Sequence, residues 1–119
     1  MPRAATTSDA FNAIAEPRRR EILVYLASRE RPVGDIVVAL GLAQPSVSKH
    51  LRVLHDVGLV ELRRDGRQVL YRTDAEGLKA IHEWTRRFER YWRSQLGRVK
   101  DRAERIEGTA SNQIKRRKP

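Results

Sequence analysis

Residues 33–73 read VGDIVVALGLAQPSVSKHLRVLHDVGLVELRRDGRQVLYRT, and this stretch decides the fold. Ile36, Val37 and Leu40 give residues 33–40 one apolar face, so a short helix is predicted there. Gly41 follows where a helix end calls for positive φ. After the tight connection Leu42-Ala43-Gln44, a second helix is predicted from Pro45 to Val57, closed by Gly58. Its Val47, Leu51 and Leu54 fall at i, i+4 and i+7, one buried face. A short helix, a glycine-containing turn and an amphipathic helix form the helix-turn-helix pattern. Residues 59–64 and 67–73 then alternate like strands, through Val60 and Leu62 and through Val69 and Tyr71. Asp65-Gly66 between them predicts a two-residue type I′ hairpin. The expected fold is mostly α with a β-hairpin wing, a winged helix-turn-helix.

Upstream, residues 1–7 lack periodicity and are expected to be disordered. Ser8 is placed to cap a short helix carrying Phe11, Ile14 and Ala15 on one face. Glu16-Pro17 starts another, with Ile22, Leu23 and Leu26 as its stripe. Arg18, Arg19 and Arg20 sit in its first turn, where the helix dipole disfavours cations. Two readings stay open for them, an external anion as partner or a solvated basic turn. Arg31-Pro32 reads as a break.

Downstream, a helical period runs through residues 74–107 with Leu78, Ile81, Trp84, Phe88, Tyr91, Trp92, Leu96, Val99 and Ile106 as its apolar positions. A helix of about 30 residues spans about 45 Å, too long for a small winged helix to cover. Its stripe calls for a second chain. Phe11, Ile14, Ile81, Trp84, Phe88, Trp92, Leu96 and Val99 are therefore the expected dimer interface. Domain organisation follows: a disordered N-terminus over 1–7, a winged helix-turn-helix over 8–73, a long dimerisation helix over 74–107 and a basic disordered tail over 108–119.

The 119 residues suit one domain, and their 25 Lys and Arg against 15 Asp and Glu leave +10. Such a balance favours polyanions, nucleic acid before acidic membrane. The chain has no cysteine, which excludes disulfides, zinc ribbons and thiol redox chemistry. No apolar run approaches the roughly 20 residues of a membrane span, and no signal-type segment opens the chain, so a cytoplasmic protein without a membrane partner is expected.

On the exposed side of the second helix of the pair stand Gln44, Ser46, Ser48, Lys49 and Arg52. Small hydroxyls allow close approach to a major groove, Gln suits adenine, and Lys and Arg suit guanine or phosphate. Arg63, Arg64 and Arg67 flank the hairpin tip, where arginine enters a minor groove or clamps phosphates. These eight are the expected contacts to double-stranded DNA. His50, His55 and His82 include no i, i+4 pair, so no metal site is assigned. Ser46 and His50 are i, i+4 neighbours, but no acid orients the imidazole and no glycine-rich anion hole adjoins it. No catalytic or cofactor residues are assigned.

The block GLAQPSVSKHLRVLHDVGLVELRRDGRQVLYR closely resembles the ArsR family of bacterial winged-helix repressors, and AEPRRREIL resembles that family's opening helix. The resemblance covers roughly residues 9–107. It implies a homodimer, paired through first and last helices, that binds promoter DNA and represses until an inducer, a small molecule or a protein, appears. It also implies a structural place for His50. The chain departs from the family's metal-sensing members. Pro32 and Gly34 stand where a Cys-x-Cys site is often found, and only His82 stands on the last helix. A non-metal-sensing type is the expectation. Ala43 replaces the usual Ser or Thr cap, a loss of about 1 kcal/mol that Pro45 offsets in part. An activator or dual regulator on the same fold, and a sequence-independent nucleic-acid or protein-interaction module, are the alternatives.

Overall fold

A computed structural model describes the backbone of residues 7–117 and the side chains of residues 8–107. The order is α1 (Thr7–Ile14), α2 (Pro17–Ala27), β1 (Arg31–Pro32), α3 (Val33–Leu40), α4 (Gln44–Asp56), β2 (Val60–Asp65), β3 (Gln68–Thr73), α5 (Ala75–Arg86) and α6 (Glu89–Arg117). The chain divides into two units, one up to Glu83 and one from Trp84 onward. The first is a winged helix-turn-helix, mostly helical with a three-stranded antiparallel wing.

The predicted apolar faces of α2, α3 and α4 meet in one core, while α1 buries Ala10 and Ala13 there and leaves Phe11 half-buried and Ala15, just past its end, exposed, a correction to its expected face. Ile22, Leu26, Ile36, Val47, Leu51, Leu54 and Leu59 are fully buried, so α2, α3 and α4 converge where their stripes demanded. Gly41 takes φ 64° and its N–H donates to the Val37 carbonyl, which ends α3 and turns the chain into α4. Gly58, at φ 80°, does the same between α4 and β2. The buried Thr73 hydroxyl donates to the Leu23 carbonyl at 2.7 Å and ties β3 to α2.

Several expectations are corrected. Arg31-Pro32 is not a simple break but a third strand, pairing with β3 in the order β1-β3-β2. Proline is tolerated because β1 is an edge strand. The hairpin closes on the pair Asp65↔Gln68, so its loop is Gly66-Arg67 rather than Asp65-Gly66. Type I′ needs positive φ at both loop positions, and only Gly66 (φ 63°) has it. A glycine at the first loop position alone suffices, and Asp65 stays in the ladder.

The single helix expected over 74–107 is two helices. The Arg87 and Phe88 N–H groups donate three residues back, to the Trp84 and Thr85 carbonyls, and this tighter turn separates α5 from α6. No proline or glycine marks the place. Helix α6 also runs past Gly108 to Arg117, where a disordered tail had been expected. One helical glycine costs about 1 kcal/mol, too little to stop a helix that meets no proline before residue 119. At the other end α1 begins at Thr7, one residue before the expected Ser8 cap. The remaining positions of the expected disordered ends, 1–6 and 118–119, lie outside the described residues.

Candidate nucleic-acid interface

Helix α4 is built to present one polar side. Its apolar i, i+4, i+7 face is fully committed to the core, which leaves Gln44, Ser48, Lys49 and Arg52 exposed on the other. Ser46 is half-buried, closer to the core than its neighbours. The helix starts without a side-chain cap: Ala43 is the N-cap residue and makes no such bond, and Pro45 lies in the first turn. The first backbone N–H groups therefore lack a side-chain acceptor at the end expected to approach DNA.

Between α4 and the wing lies a cleft lined by Ser48, Arg52, His55, Asp56, Leu62 and Tyr71. Leu62 and Tyr71 are directly opposed across β2 and β3 and form its apolar side. Arg52 and the hydroxyl of Ser48 stand on its helical wall. His55 and Tyr71, which the sequence reading left out, share this cleft. The signal for Tyr71 lay in strand register, opposite Leu62, which the misplaced turn obscured, while His55 follows Ser48 and Arg52 at i+7 and i+3 on α4 and was legible from helical spacing.

The wing arginines divide. Arg64 and Arg67 are exposed near the tip. Arg63 is not available in the same way: its Nε and Nη2 donate to both carboxylate oxygens of Glu30 at 2.6–2.9 Å. Strand alternation explains the split, because Arg63 and Arg64 point to opposite faces of the sheet. Arg63 braces the wing against the segment before β1.

The hydrogen bonds from Arg63 hold the Glu30 carboxyl below its ordinary value of 4.5. A carboxylate lowered in this way contributes stability above its unfolded value and loses it as pH falls through the folded one. Urea unfolding midpoints are expected to drop more steeply for the native chain than for Glu30→Gln as pH falls from neutrality to about 3. Parallel curves for the two proteins would show the bridge to be without effect.

The three arginines opening α2 have partners within the chain, and Arg18 and Arg20 stay exposed, so the turn is a solvated one tied down from inside rather than one that calls for an external anion. Arg19 donates to the Ala13 carbonyl at 2.5 Å, and Arg20 to the Ile14 carbonyl at 2.8 Å. Those carbonyls end α1, where the helix dipole is negative. Arg18 pairs with Glu21. Glu16 caps α2 by accepting from the Arg19 N–H, and the same oxygen lies 4.0 Å from His50 Nε2. His50 is half-buried, its Nδ1 without a hydrogen-bond partner, consistent with a packed residue of α4.

The expected dimer residues also divide. Ile14 and Ile81 are partly buried against the first unit's own core, and Phe11 is half-buried. Trp84, Phe88, Trp92, Leu96 and Val99 are 41–64% exposed. Trp84 and Phe88 stack at 5.0 Å between ring centroids, tilted by 58°. Among the described residues no group of three or more His, Cys, Asp or Glu is arranged to hold a metal. None of their helices is long and apolar enough to cross a membrane.

Comparison with known proteins places this geometry. Residues 16–61 match the model of the bacterial regulatory protein, arsR family. A relative from Streptomyces lividans, named a probable mercury resistance operon repressor, is 41% identical over 66 residues, 56% of this chain and 53% of that one. The chain thus spans about half the length of that relative. The biofilm growth-associated repressor of Xylella fastidiosa is 31% identical over 81 residues, 67% of this chain and 71% of that one. An ArsR-like transcriptional regulator from Rhodococcus sp. RHA1 superposes with a TM-score of 0.63 at 27% identity, covering 82% of this chain and 92% of that one. A homodimeric winged helix-turn-helix DNA-binding domain from Mycobacterium bovis gives 0.58 at 33% identity, covering 69% and 79%. From the polar side of α4, the wing beside it and these likenesses, it follows that the chain belongs to the ArsR family of bacterial regulatory proteins.

Proposed function

We propose that the protein is a cytoplasmic transcriptional repressor that binds an inverted-repeat operator as a homodimer and does not sense metals. The observation that carries the reading is the exposed side of α4, with Gln44, Ser48, Lys49 and Arg52 beside a wing that carries Arg64 and Arg67. Residues near the start of such a helix reach base edges, and wing arginines hold the backbone. Repression is favoured by the relatives, which are named as repressors. The absence of cysteine and of any i, i+4 histidine pair supports an effector other than a thiophilic metal. Ser46 enters as a minor contact because it is half-buried, and Arg63 as a brace rather than a contact.

The test is affinity for DNA upstream of the protein's own gene and for random duplex, across salt. Ser48→Ala, Lys49→Ala and Arg52→Ala are each expected to relax specificity at one base pair and to cost about 1–3 kcal/mol. Arg67→Ala is expected to weaken binding to every sequence and to flatten the salt slope by about one unit. Zinc, arsenite and cadmium are expected to leave the operator complex intact. Equal losses on both DNAs for every variant would leave only a sequence-independent module.

A further inference from the structure

The excess positive charge is not where DNA reading is proposed. Residues 1–83 hold 13 Lys and Arg against 11 Asp and Glu, which leaves +2. From Trp84 onward there are 12 against 4, which leaves +8 of the chain's +10. Nine of those 12 are arginine, the residue whose planar fork matches phosphate oxygens in pairs.

Part of this charge is gathered at one place. The turn between α5 and α6 brings Arg86, Arg87, Arg90 and Arg93 around a cleft with Glu89. Glu89 is taken by Arg93 at 2.6 Å. Among the described residues no acid pairs with Arg86, Arg87 or Arg90. Four arginines share this cleft with one carboxylate, which Arg93 already bonds, so like charges outweigh the opposite one there and a bound anion relieves the remaining repulsion. On α6 the apolar positions Trp92, Leu96 and Val99 follow i, i+4, i+7, which puts Arg90 on the opposite side of the helix. Covering the apolar stripe with a second copy would leave Arg90 open.

We propose that Arg86, Arg87 and Arg90 form a second contact surface for duplex DNA, binding backbone phosphates without reading sequence. The winged-helix unit then supplies discrimination with little net charge, and the C-terminal unit supplies most of the electrostatic attraction. Repeating, closely spaced phosphates suit a row of arginines better than one small anion does, because each guanidinium meets its own phosphate. The inference rests on the reading of the chain as a DNA-binding protein, and its test separates the two.

The experiment compares the full chain with the triple variant Arg86→Gln, Arg87→Gln, Arg90→Gln and with the corresponding triple lysine variant. Circular dichroism and light scattering check that fold and assembly are kept. Affinity is measured against salt on operator DNA, on random duplex, and on vesicles of phosphatidylcholine with phosphatidylserine. The glutamine variant is expected to lose affinity for both DNAs by the same factor. Its slope of log affinity on log salt should be shallower by about 0.9 for each lost phosphate contact, about three per protomer. The preference for operator over random DNA should not change, and the lysine variant should restore most of the slope. An unchanged slope, or a loss confined to vesicles, overturns the proposal. Native protein with no operator preference would instead overturn the operator reading, and the slopes on random duplex would still decide this one.

Discussion

Gly77→Ala is expected to destabilise the winged-helix unit by about 1–3 kcal/mol, against its helix propensity. Alanine is the better helix former by about 1 kcal/mol, so an exposed helical glycine normally gains from the change. Gly77 stands in the first turn of α5, and a Cβ there would run into the Gly58 carbonyl and the Leu59 backbone. Backbone cannot swing aside as the end of a flexible side chain can. This approach is fixed from both directions. The Asp74 N–H donates to the Leu59 carbonyl at 2.9 Å, and Asp74 Oδ1 accepts from the Glu76 and Gly77 N–H groups. Displacing α5 would therefore disturb the junction where Gly58 turns the chain from α4 into β2. Gly34→Ala is the control, because nothing lies within 4 Å of a Cβ at that helical position. Urea midpoints should fall for Gly77→Ala and hold or rise for Gly34→Ala. A Gly77→Ala protein as stable as the native chain would mean that the start of α5 is free to move.

Periodicity made the first unit readable because its three stripes each have one destination. Ile22 and Leu26, Ile36, and Val47 with Leu51 and Leu54 all end in one core, Gly41 takes the positive φ its position suggested, and Gly58 ends α4 as expected. What the sequence hid were choices settled by partners distant along the chain. Whether Arg63 clamps DNA or braces the wing depends on Glu30, 33 residues away. Arg19 and Arg20 read as misplaced cations at the start of α2 until α1 is seen to end beside them. The hairpin failed for a different reason. Asp-Gly is a strong turn signal, yet Gly66-Arg67 closes the loop with glycine first and keeps Asp65 paired with Gln68. The interruption between α5 and α6 has no composition signal, since residues 84–92 hold the apolar spacing straight through it.

The double variant Phe88→Glu with Trp92→Glu is expected to abolish assembly and to lower operator affinity far more than affinity for one half-site. Trp84, Phe88, Trp92, Leu96 and Val99 stay about half exposed in the isolated chain. Each aromatic side chain can bury about 150–250 Å², and at about 25 cal/mol per Å² three of them contribute several kcal/mol to an interface. Against that stands repulsion between two units of +8 each. Salt screens it over a Debye length of about 8–10 Å, so added salt should strengthen self-association while it weakens DNA binding. The opposite signs allow the two equilibria to be told apart in one titration. In a two-fold dimer two recognition helices would meet successive major grooves about 34 Å apart, or a multiple of that, which is why an inverted repeat is the proposed target. Two glutamates within the stripe put charge where apolar contact is needed, while α4 and the wing stay as they are. Half-site binding, which needs one winged-helix unit, should therefore survive. Light scattering and binding to full-site and half-site DNA read both parts. A double variant that remains dimeric with full operator affinity would place the interface elsewhere and leave the stripe as a surface for a different partner.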